Sequence, residues 1–450
     1  MAPRMRESGQ GALKYASAVI HVTAIDLTVD AGELASRSFC FVLGVLLFFA
    51  MVVSLMRTII VPRALRSFFS GVVMATVVRV SWALARTRRH YRGRDAVMAW
   101  AGPLIIIVTL LCWLLGFLFA YALMIYGVSG NSFGTSLAQS GSSLFTLGFS
   151  SGNTQDQTIL DFMAAATGPI VIALMIGFLP TIYGIYTDRE VAVTQLSSEA
   201  GEPAWGPEYL ARAHLTDRLV SNDEIFQKWA AWATSLRLTH LTYPALVHVR
   251  SARAQRHYAT SLLAIMDAAA LSLSLKHEPR RNEAYNLLGQ GVQTFDTLYL
   301  TSVAPRKFIS RLPLIGRLVK PSLTIDSGLL AMPSREPGHA AVQRAASADA
   351  VRGMAHETLG LLNTGEEMPV TLTRAQFDEA YTMLESVGFP IEYNADDAWE
   401  FFSKLRQRYE FAAYAICSKL DAPPAPWSGP RRVKTETVSP SLATNFIDPS

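Results

Sequence analysis

The sequence predicts an all-α membrane protein whose first part crosses the bilayer and whose second part is a mainly helical polar domain. Three long apolar runs lie within the first 190 residues, and a polar, glycine-rich segment separates the second run from the third. The remaining residues place apolar side chains at helical spacing and do not alternate strands with helices. The net charge is only +4, and the basic excess is concentrated in one loop, so it bears on topology and not on nucleic acid.

Each apolar run is long enough for a spanning helix, which requires about 20 residues. Residues 38–62 are uncharged apart from Arg57, whose side chain can reach the headgroups. Residues 97–127 and 162–187 contain no charged residue. We therefore expect three transmembrane helices in a multi-pass protein of the cell membrane.

The arginines indicate the orientation, because short cytoplasmic loops retain Lys and Arg. Residues 63–96 form a basic loop, whereas residues 128–157 contain neither Lys nor Arg. The first loop is predicted to be cytoplasmic or interfacial and the second external. The same rule places residues 1–37 outside and a helical domain, residues 188–420, in the cytoplasm. The basic loop contains Arg63, Arg66, Arg79, Arg86, Arg88, Arg89, Arg92 and Arg94.

Residues 67–85 are apolar enough to be considered as a fourth span. A crossing would place Arg79 in lipid, where a central charge costs about 2.5 to 3.5 kcal/mol on insertion scales. An interfacial helix with its basic ends among the headgroups avoids that cost. We expect the interfacial helix and retain the span as the alternative.

The polar segment, residues 131–152, lies between the second and third spans. Non-helical backbone at membrane depth persists only where protein or a water-filled cavity covers it. We expect Asn131 or Ser132 to cap a short pore helix that ends near Phe145. Residues 146–150 then return in extended form with their carbonyl groups facing a cation. The alternative is an ordinary external loop lying flat on the membrane.

The candidate ion-binding residues follow that short helix. Gly148 can adopt backbone angles that a side chain forbids, and Thr146 can add a hydroxyl ligand at the inner end. The complete candidate set is Thr146, Leu147, Gly148, Phe149 and Ser150.

A helix, a loop ending in Thr-Leu-Gly-Phe, and a helix with glycine and proline breaks together resemble the pore module of potassium channels, over residues 97–187. The filter of that family reads Thr-Val-Gly-Tyr-Gly, so Thr146 to Phe149 match its first four positions. Ser150 and Ser151 do not match, and Phe149 lacks the tyrosine hydroxyl that can brace the filter. The resemblance implies a potassium-preferring channel with monovalent cations and membrane lipid as partners.

Three further stretches extend the resemblance to bacterial proteins described as two-pore-domain potassium channels. They are HYRGRDAVMAWAGP at 90–103, LPTIYGIYTDRE at 179–190 and HLTYPALVHVRS at 240–251. This chain contains only one filter-like loop. Four chains must then surround one axis, which implies a homotetramer.

Glycine, proline and acidic residues around the third span are secondary candidates. Gly168, Gly177 and Pro180 are candidate gating hinges, and close helix packing is the alternative. Asp156 and Asp161 follow the filter, where four copies of each can concentrate cations at the outer mouth. The alternative for both acids is that they only mark the membrane interface.

The cytoplasmic part is predicted to contain further helices, capped at Thr373 and Asn394. Residues 304–321 are either a solvated linker or a segment lying on anionic lipid, and residues 326–345 are expected to be a linker. The tail, residues 421–450, is expected to be disordered. The helices are expected near 281–302, 341–362, 374–388 and 395–420.

Enzyme motifs are weak. The pattern Gly-x-Ser-x-Gly at 130–134 follows a membrane helix and not the strand that a nucleophile elbow requires. The histidines lack the spacing of a zinc pair, and the three cysteines do not indicate a disulfide framework. We expect no enzyme activity and no cofactor or resident metal. A regulator of the cytoplasmic domain stays unidentified, and the alternative function is a non-conducting membrane sensor or scaffold with a degenerate pore module.

Overall fold

The computed structural model describes residues 32–60, 67–217, 222–276, 282–302 and 372–431. All regular secondary structure in these ranges is helical, as the sequence predicts. The chain divides into two compact units. The first consists of the described parts of Met1–Gln195 and Ser235–Ala254, and the second of the described parts of Leu196–Thr234 and Gln255–Ser450.

The first unit contains the helices that match the predicted spans. Four stretches here are long and apolar enough to cross a membrane, namely α1, α2, α3 with α4, and α6. The predicted spans at 38–62, 97–127 and 162–187 overlap α1, α4 and α6, and only the third lies entirely within its helix. The bounds are α1 Gly32–Ile60, α2 Phe68–Ala85, α3 Tyr91–Ala99, α4 Ala101–Val128, α5 Phe133–Leu144 and α6 Gln155–Ala200. The unit also contains a 3-10 helix at Pro244–His248.

Helices α1 and α4 pack closely and antiparallel. A Cβ atom added to Gly44 would lie 2.7 Å from the carbonyl oxygen of Ala120, and one added to Gly127 would lie 2.6 Å from Cβ of Phe41. Small residues let two backbones approach in this way, and such contacts are common between membrane helices. The core that they share includes Met51, Leu55, Trp113, Phe117, Tyr121 and Ile125.

Helix α2 continues in the direction of α1. Ser67 Oγ lies 2.8 Å from Ser54 Oγ, and Ser70 Oγ lies 2.9 Å from Thr58 Oγ1. The later residue of α1 contacts the later residue of α2. The start of α2 therefore lies beside the last turns of α1, and α2 does not run back along α1. Helix α2 is also long and apolar enough to cross a membrane, so the interfacial helix stays a prediction with the fourth span as its alternative.

The second unit is organised around a central helix, α9. Every residue of α9 is buried, and α9 contacts α7, α10, α12 and α13. Although α9 is also apolar and long enough to cross a membrane, its complete enclosure by protein identifies it as a core helix. The bounds are α7 Gly206–Leu215, α8 Asn222–Thr242, α9 Tyr258–Leu275, α10 Asn282–Ser302, α11 Arg374–Ser386, α12 Ala395–Arg406 and α13 Glu410–Lys419. The part of α8 from Ser235 onward belongs to the first unit.

Most of the helices predicted for this unit are confirmed. The predicted helices near 281–302 and 374–388 are α10 and α11, and the helix predicted at 395–420 is two helices, α12 and α13. Thr373 caps α11 in a capping box and Asn394 caps α12, as predicted. The helix predicted at 341–362, both predicted linkers and most of the N-terminal segment lie outside the described residues.

The predicted disordered tail begins with packed residues. Arg406 is buried, and its Nη2 donates to the carbonyl oxygen of Trp427 at 2.6 Å, while its other bonds reach Asp267, Glu410 and Tyr414. This network ties the chain up to residue 431 to α9, so the prediction of disorder is wrong for residues 421–431. The rest of the tail lies outside the described residues.

Candidate functional site

Helix α5 is a short polar helix packed against α4. Ser132 is its N-cap and accepts a hydrogen bond from the Thr135 amide, which confirms one of the two predicted caps. Ser140 Oγ donates to the Leu118 carbonyl oxygen at 2.8 Å, so a buried hydroxyl on α5 is satisfied by α4. On α4, Tyr126 contacts Phe133 at the start of α5, and the earlier residue Leu118 contacts Ser140 further along α5. The two helices are therefore antiparallel.

The end of α5 packs against α6 at Gly168. A Cβ atom added there would overlap the carbonyl oxygen of Leu144, the last residue of α5. Gly168 is therefore a close-packing position, which favours the packing alternative over the hinge. A Cβ atom added to Gly177 meets nothing within 4 Å, and α6 runs as one helix through Pro180. A hinge at either of these two positions stays a prediction.

Residues 145–152, the return segment, reverse the direction of the chain after α5. The Leu147 amide donates to the Ser142 carbonyl oxygen at 2.7 Å, and the Ser150 amide donates to Ser142 Oγ at 2.9 Å. The Gly152 amide donates to Asp161 Oδ2 at 2.8 Å. Asp161 precedes Gly168 on α6, and the distance between them along the helix axis is about 10 Å at 1.5 Å per residue. The segment thus runs back along α6 toward its first residue.

The backbone of the return segment alternates in handedness. Thr146 has φ 54° and Gly148 has φ 76°, and no other residue of the segment has a positive φ. The predicted extended form is therefore wrong at these two residues, whereas the expectation that Gly148 uses angles reserved for glycine is confirmed. Alternation of this kind turns successive peptide groups toward the same side. The Thr146 hydroxyl donates to the Phe145 carbonyl oxygen at 2.7 Å.

The side of the return segment that faces away from α5 is open within a single chain. Leu147 is 63% exposed and Phe149 is 68% exposed, although both side chains are large and apolar. A Cβ atom added to Gly148 meets nothing within 4 Å, and Ser150 is half-buried. Exposed apolar side chains next to long apolar helices indicate a surface that another chain or lipid covers.

The two acidic candidates occupy different environments. Asp161 is half-buried and accepts hydrogen bonds from Gln139 Nε2 at 3.1 and 3.2 Å, from Ser143 Oγ at 2.8 Å and from the Gly152 amide. Its carboxylate thus accepts hydrogen bonds from three protein donors. Asp156 is exposed in the first turn of α6. Asp156 is the more exposed of the two, and the mouth role of both acids stays a prediction.

A buried arginine organises the opposite end of the apolar part of α6. Arg189 is 4% exposed, and it donates to the carbonyl oxygens of Leu246 at 3.1 Å and Val249 at 2.8 Å. Its Nη1 also lies 3.2 Å from His240 Nε2. Burial, and next the charge of Arg189, lower the pKa of His240 well below its usual 6.5. The imidazole is therefore neutral at pH 7.

Residues 243–250, which we name the clamp, connect α6 to α3 and α4. Arg250 forms an ion pair with Asp95 at 2.7 Å, and a Cβ atom added to Gly102 would lie 2.7 Å from Cγ2 of Val249. The sequence alone does not indicate Arg189 or Arg250 as site residues. The pairs join residues from distant stretches, so no local spacing could indicate them.

No group of three or more His, Cys, Asp or Glu side chains within the described ranges could hold a metal ion. Comparisons with protein-family models, curated protein sequences and solved structures found no match for this chain. The functional argument accordingly depends on the geometry of α4, α5, the return segment and α6.

Proposed function

We propose that this chain is the subunit of a homotetrameric cation channel, potassium-preferring, in the cell membrane. The observation that carries the proposal is the return segment, with positive φ at Thr146 and Gly148, following a short helix packed between two helices long enough to span a bilayer. Its carbonyl groups, from Thr146 to Ser150, would replace the water shell of a permeating ion.

The depth of the return segment supports the proposal. Leu144 contacts α6 at Gly168, about 9 Å along the helix from residue 162, where the predicted span begins, at 1.5 Å per residue. The apolar core of a bilayer is about 30 Å thick, so in this proposal the end of α5 lies about a third of the way into it. Backbone that deep requires a protein or water-filled surrounding.

The open face of the return segment supports the tetramer. One segment cannot enclose an axis, whereas four related by rotation can, and the exposed Leu147 and Phe149 then face neighbouring subunits or the axis. The match of Thr146 to Phe149 with the potassium-channel filter supports potassium preference. In this proposal the cytoplasmic unit regulates opening, and membrane lipid surrounds the apolar helices.

A second candidate is a non-conducting membrane sensor or scaffold that retains a degenerate pore module and binds a partner through its cytoplasmic helices. The geometry at Thr146 favours it. The Thr146 hydroxyl donates to the Phe145 carbonyl oxygen of its own chain, whereas the sequence predicts it as an ion ligand. Ser150 stands where the potassium-channel filter has its final glycine, and this difference also favours the non-conducting candidate.

The two candidates separate in a liposome flux assay on the full chain. The mass of the purified protein is measured first, and K⁺ flux is then compared with Na⁺ flux. We expect a tetramer with K⁺ flux above Na⁺ flux. Gly148→Ala adds one methyl group at a positive φ and is expected to abolish flux.

Gly134→Ala is the matched control, because Gly134 lies in α5 with only Ser132 Oγ nearby, at 3.9 Å, and has no positive φ. It is expected to retain wild-type flux. A purified tetramer whose flux equals that of Gly148→Ala would contradict the channel and favour the scaffold. A stable monomer in the membrane would contradict both the tetramer and the filter.

A further inference from the structure

The carboxylate of Asp161 collects hydrogen bonds from both sides of the proposed filter. Gln139 and Ser143 lie one turn apart on α5, before the return segment, and Gly152 lies at its end. Asp161 itself is on α6. One side chain thus joins the helix that precedes the segment, the residue at which it ends and the helix that follows it.

The amide groups of the return segment point toward this side. Ser142 accepts from the amides of Leu147 and Ser150, and Asp161 accepts from the amide of Gly152. Amides held at the back leave the carbonyl groups of the alternating stretch free to face the open side. The positions of those carbonyl groups therefore depend on where Ser142 and Asp161 hold the amides.

A carboxylate suits this position better than a neutral side chain. An ionised carboxylate only accepts hydrogen bonds, and it can accept about four of them. Bonds to an ionised acceptor are roughly twice as strong as those between neutral groups. Within the described ranges no Lys or Arg side chain forms an ion pair with Asp161, so its interactions with the segment are not shared with a cation.

We propose that Asp161 is a positioning residue that sets ion selectivity by holding the outer exit of the filter at Gly152. This inference deepens the proposed channel function and depends on it. Selectivity is the property at stake, because it depends on the arrangement of the carbonyl dipoles. A mouth residue, in contrast, would change the rate of cation entry and leave the ratio of permeabilities unchanged.

The test measures the K⁺ to Na⁺ permeability ratio of the full chain in liposomes. Asp161→Asn replaces one acceptor oxygen by an NH₂ group, which brings a donor against the Gly152 amide or the Gln139 amide. We expect the tetramer to persist and the ratio to fall about tenfold, as for loss of one charge-assisted hydrogen bond. Adding Gln139→Glu supplies an acceptor for the introduced NH₂ group and is expected to restore most of the ratio.

Asp156→Asn is the matched control, since it makes the same chemical change on an exposed residue five positions earlier. We expect it to leave the ratio unchanged. If Asp161→Asn prevents folding, Ser143→Ala removes only one of the donors and is expected to lower the ratio by a smaller factor. A wild-type ratio in Asp161→Asn, or in Ser143→Ala where that variant is needed, would overturn the proposal.

Amide hydrogen exchange separates this inference from the channel itself. Asp161→Asn is expected to speed exchange of the amides between residues 147 and 152, and Asp156→Asn is not. If the wild-type tetramer carries no flux, the channel proposal fails, and exchange then decides whether Asp161 holds the segment. Unchanged exchange in Asp161→Asn would overturn that role as well.

Discussion

The two ends of the apolar part of α6 are built from opposite chemistry. At one end the Asp161 carboxylate accepts hydrogen bonds from α5 and the return segment. At the other end the Arg189 guanidinium donates hydrogen bonds to carbonyl groups of the clamp. Asp161 is half-buried, whereas Arg189 is 4% exposed. In both cases a single charged side chain satisfies backbone groups that no regular helix could satisfy.

The difference lies in which backbone is held. Asp161 holds a segment within 22 residues of itself, while Arg189 reaches carbonyl groups 57 and 60 residues away. The first arrangement shapes a local loop, and the second ties α6 to a part of the chain that follows α8. In the proposed channel, the Asp161 end would shape the ion path and the clamp end would connect α6 to the rest of the protein.

The largest expected effect tests the packing of α5 on α6. Gly168→Leu places a side chain against the Leu144 carbonyl oxygen, and backbone on both sides leaves no room to adjust. We expect a loss of more than about 4 kcal/mol of unfolding free energy, or no folded protein. Thermal unfolding of the purified chain measures it.

Gly177→Leu is the matched control for that variant. Its position opens into a groove of about 460 Å³ lined by apolar residues including Ile170 and Phe178. We expect a change of less than about 1 kcal/mol, since leucine also has the higher helix propensity. Equal stability of the two variants would show that Gly168 is not a packing position.

The next effect concerns the clamp. Arg189→Met removes both donors to the carbonyl groups of Leu246 and Val249 and keeps an apolar stem of similar length. Each buried acceptor left unsatisfied costs about 1 to 3 kcal/mol, so we expect a loss of about 3 kcal/mol in denaturant unfolding. Arg88→Met, at an exposed arginine, is expected to change stability by less than about 0.5 kcal/mol. An Arg189→Met loss no larger than that of the control would refute the clamp.

A smaller effect on stability is expected when a change of pH protonates His240, which lies beside Arg189. The folded pKa of His240 lies below the unfolded value of 6.5, so between these values only the unfolded chain binds the proton. Stability contributed by the neutral imidazole is present above pH 6.5 and falls by at most about 1.4 kcal/mol per pH unit below it. His240→Gln removes this term.

The measurement is the unfolding free energy of both proteins at pH 7.5 and pH 5.5. We expect wild type to lose about 1 kcal/mol more than His240→Gln between the two values, since one unit of pH lies below 6.5. Arg189 Nη1 lies 3.2 Å from His240 Nε2, and the Arg189 guanidinium also pairs with the Glu190 carboxylate. Identical pH dependence of the two proteins would show that His240 is protonated in the folded state.

The smallest effect is expected at the exposed acid. Asp156→Asn is predicted to lower K⁺ flux by less than about twofold at low ionic strength and not at all at high ionic strength. The reason is that an exposed charge attracts cations only over the screening length. A salt-independent loss of flux would mean that Asp156 acts by contact and not through its field.

Local signals in the sequence predicted a large part of this architecture. Ser132, Thr373 and Asn394 were identified as caps because a cap acts on an amide two or three residues away. The long uncharged runs predicted α1, α4 and α6, since membrane length is a property of consecutive residues. Gly148 was identified because its backbone angles exclude other residues.

The remaining features depend on partners that are distant in the chain. Gly168 resembled a hinge by composition, but the Leu144 carbonyl beside it decides its role. Asp161 accepts hydrogen bonds from three donors on α5 and the return segment, and none of them is a neighbour in the sequence. The tail beyond Asp421 is polar and proline-rich, yet the Trp427 carbonyl accepts from the buried Arg406 and orders it up to residue 431.

Most of the helices, the long apolar runs and the short capped helix before the return segment follow from the sequence, because these properties depend on neighbours within a few residues. The enclosure of α9 by protein, the hydrogen bonds from the return segment to Asp161 and those from Arg189 to the clamp become visible in the folded chain. Those assignments depend on which buried polar groups meet, because a buried donor or acceptor must find a partner wherever the chain supplies one.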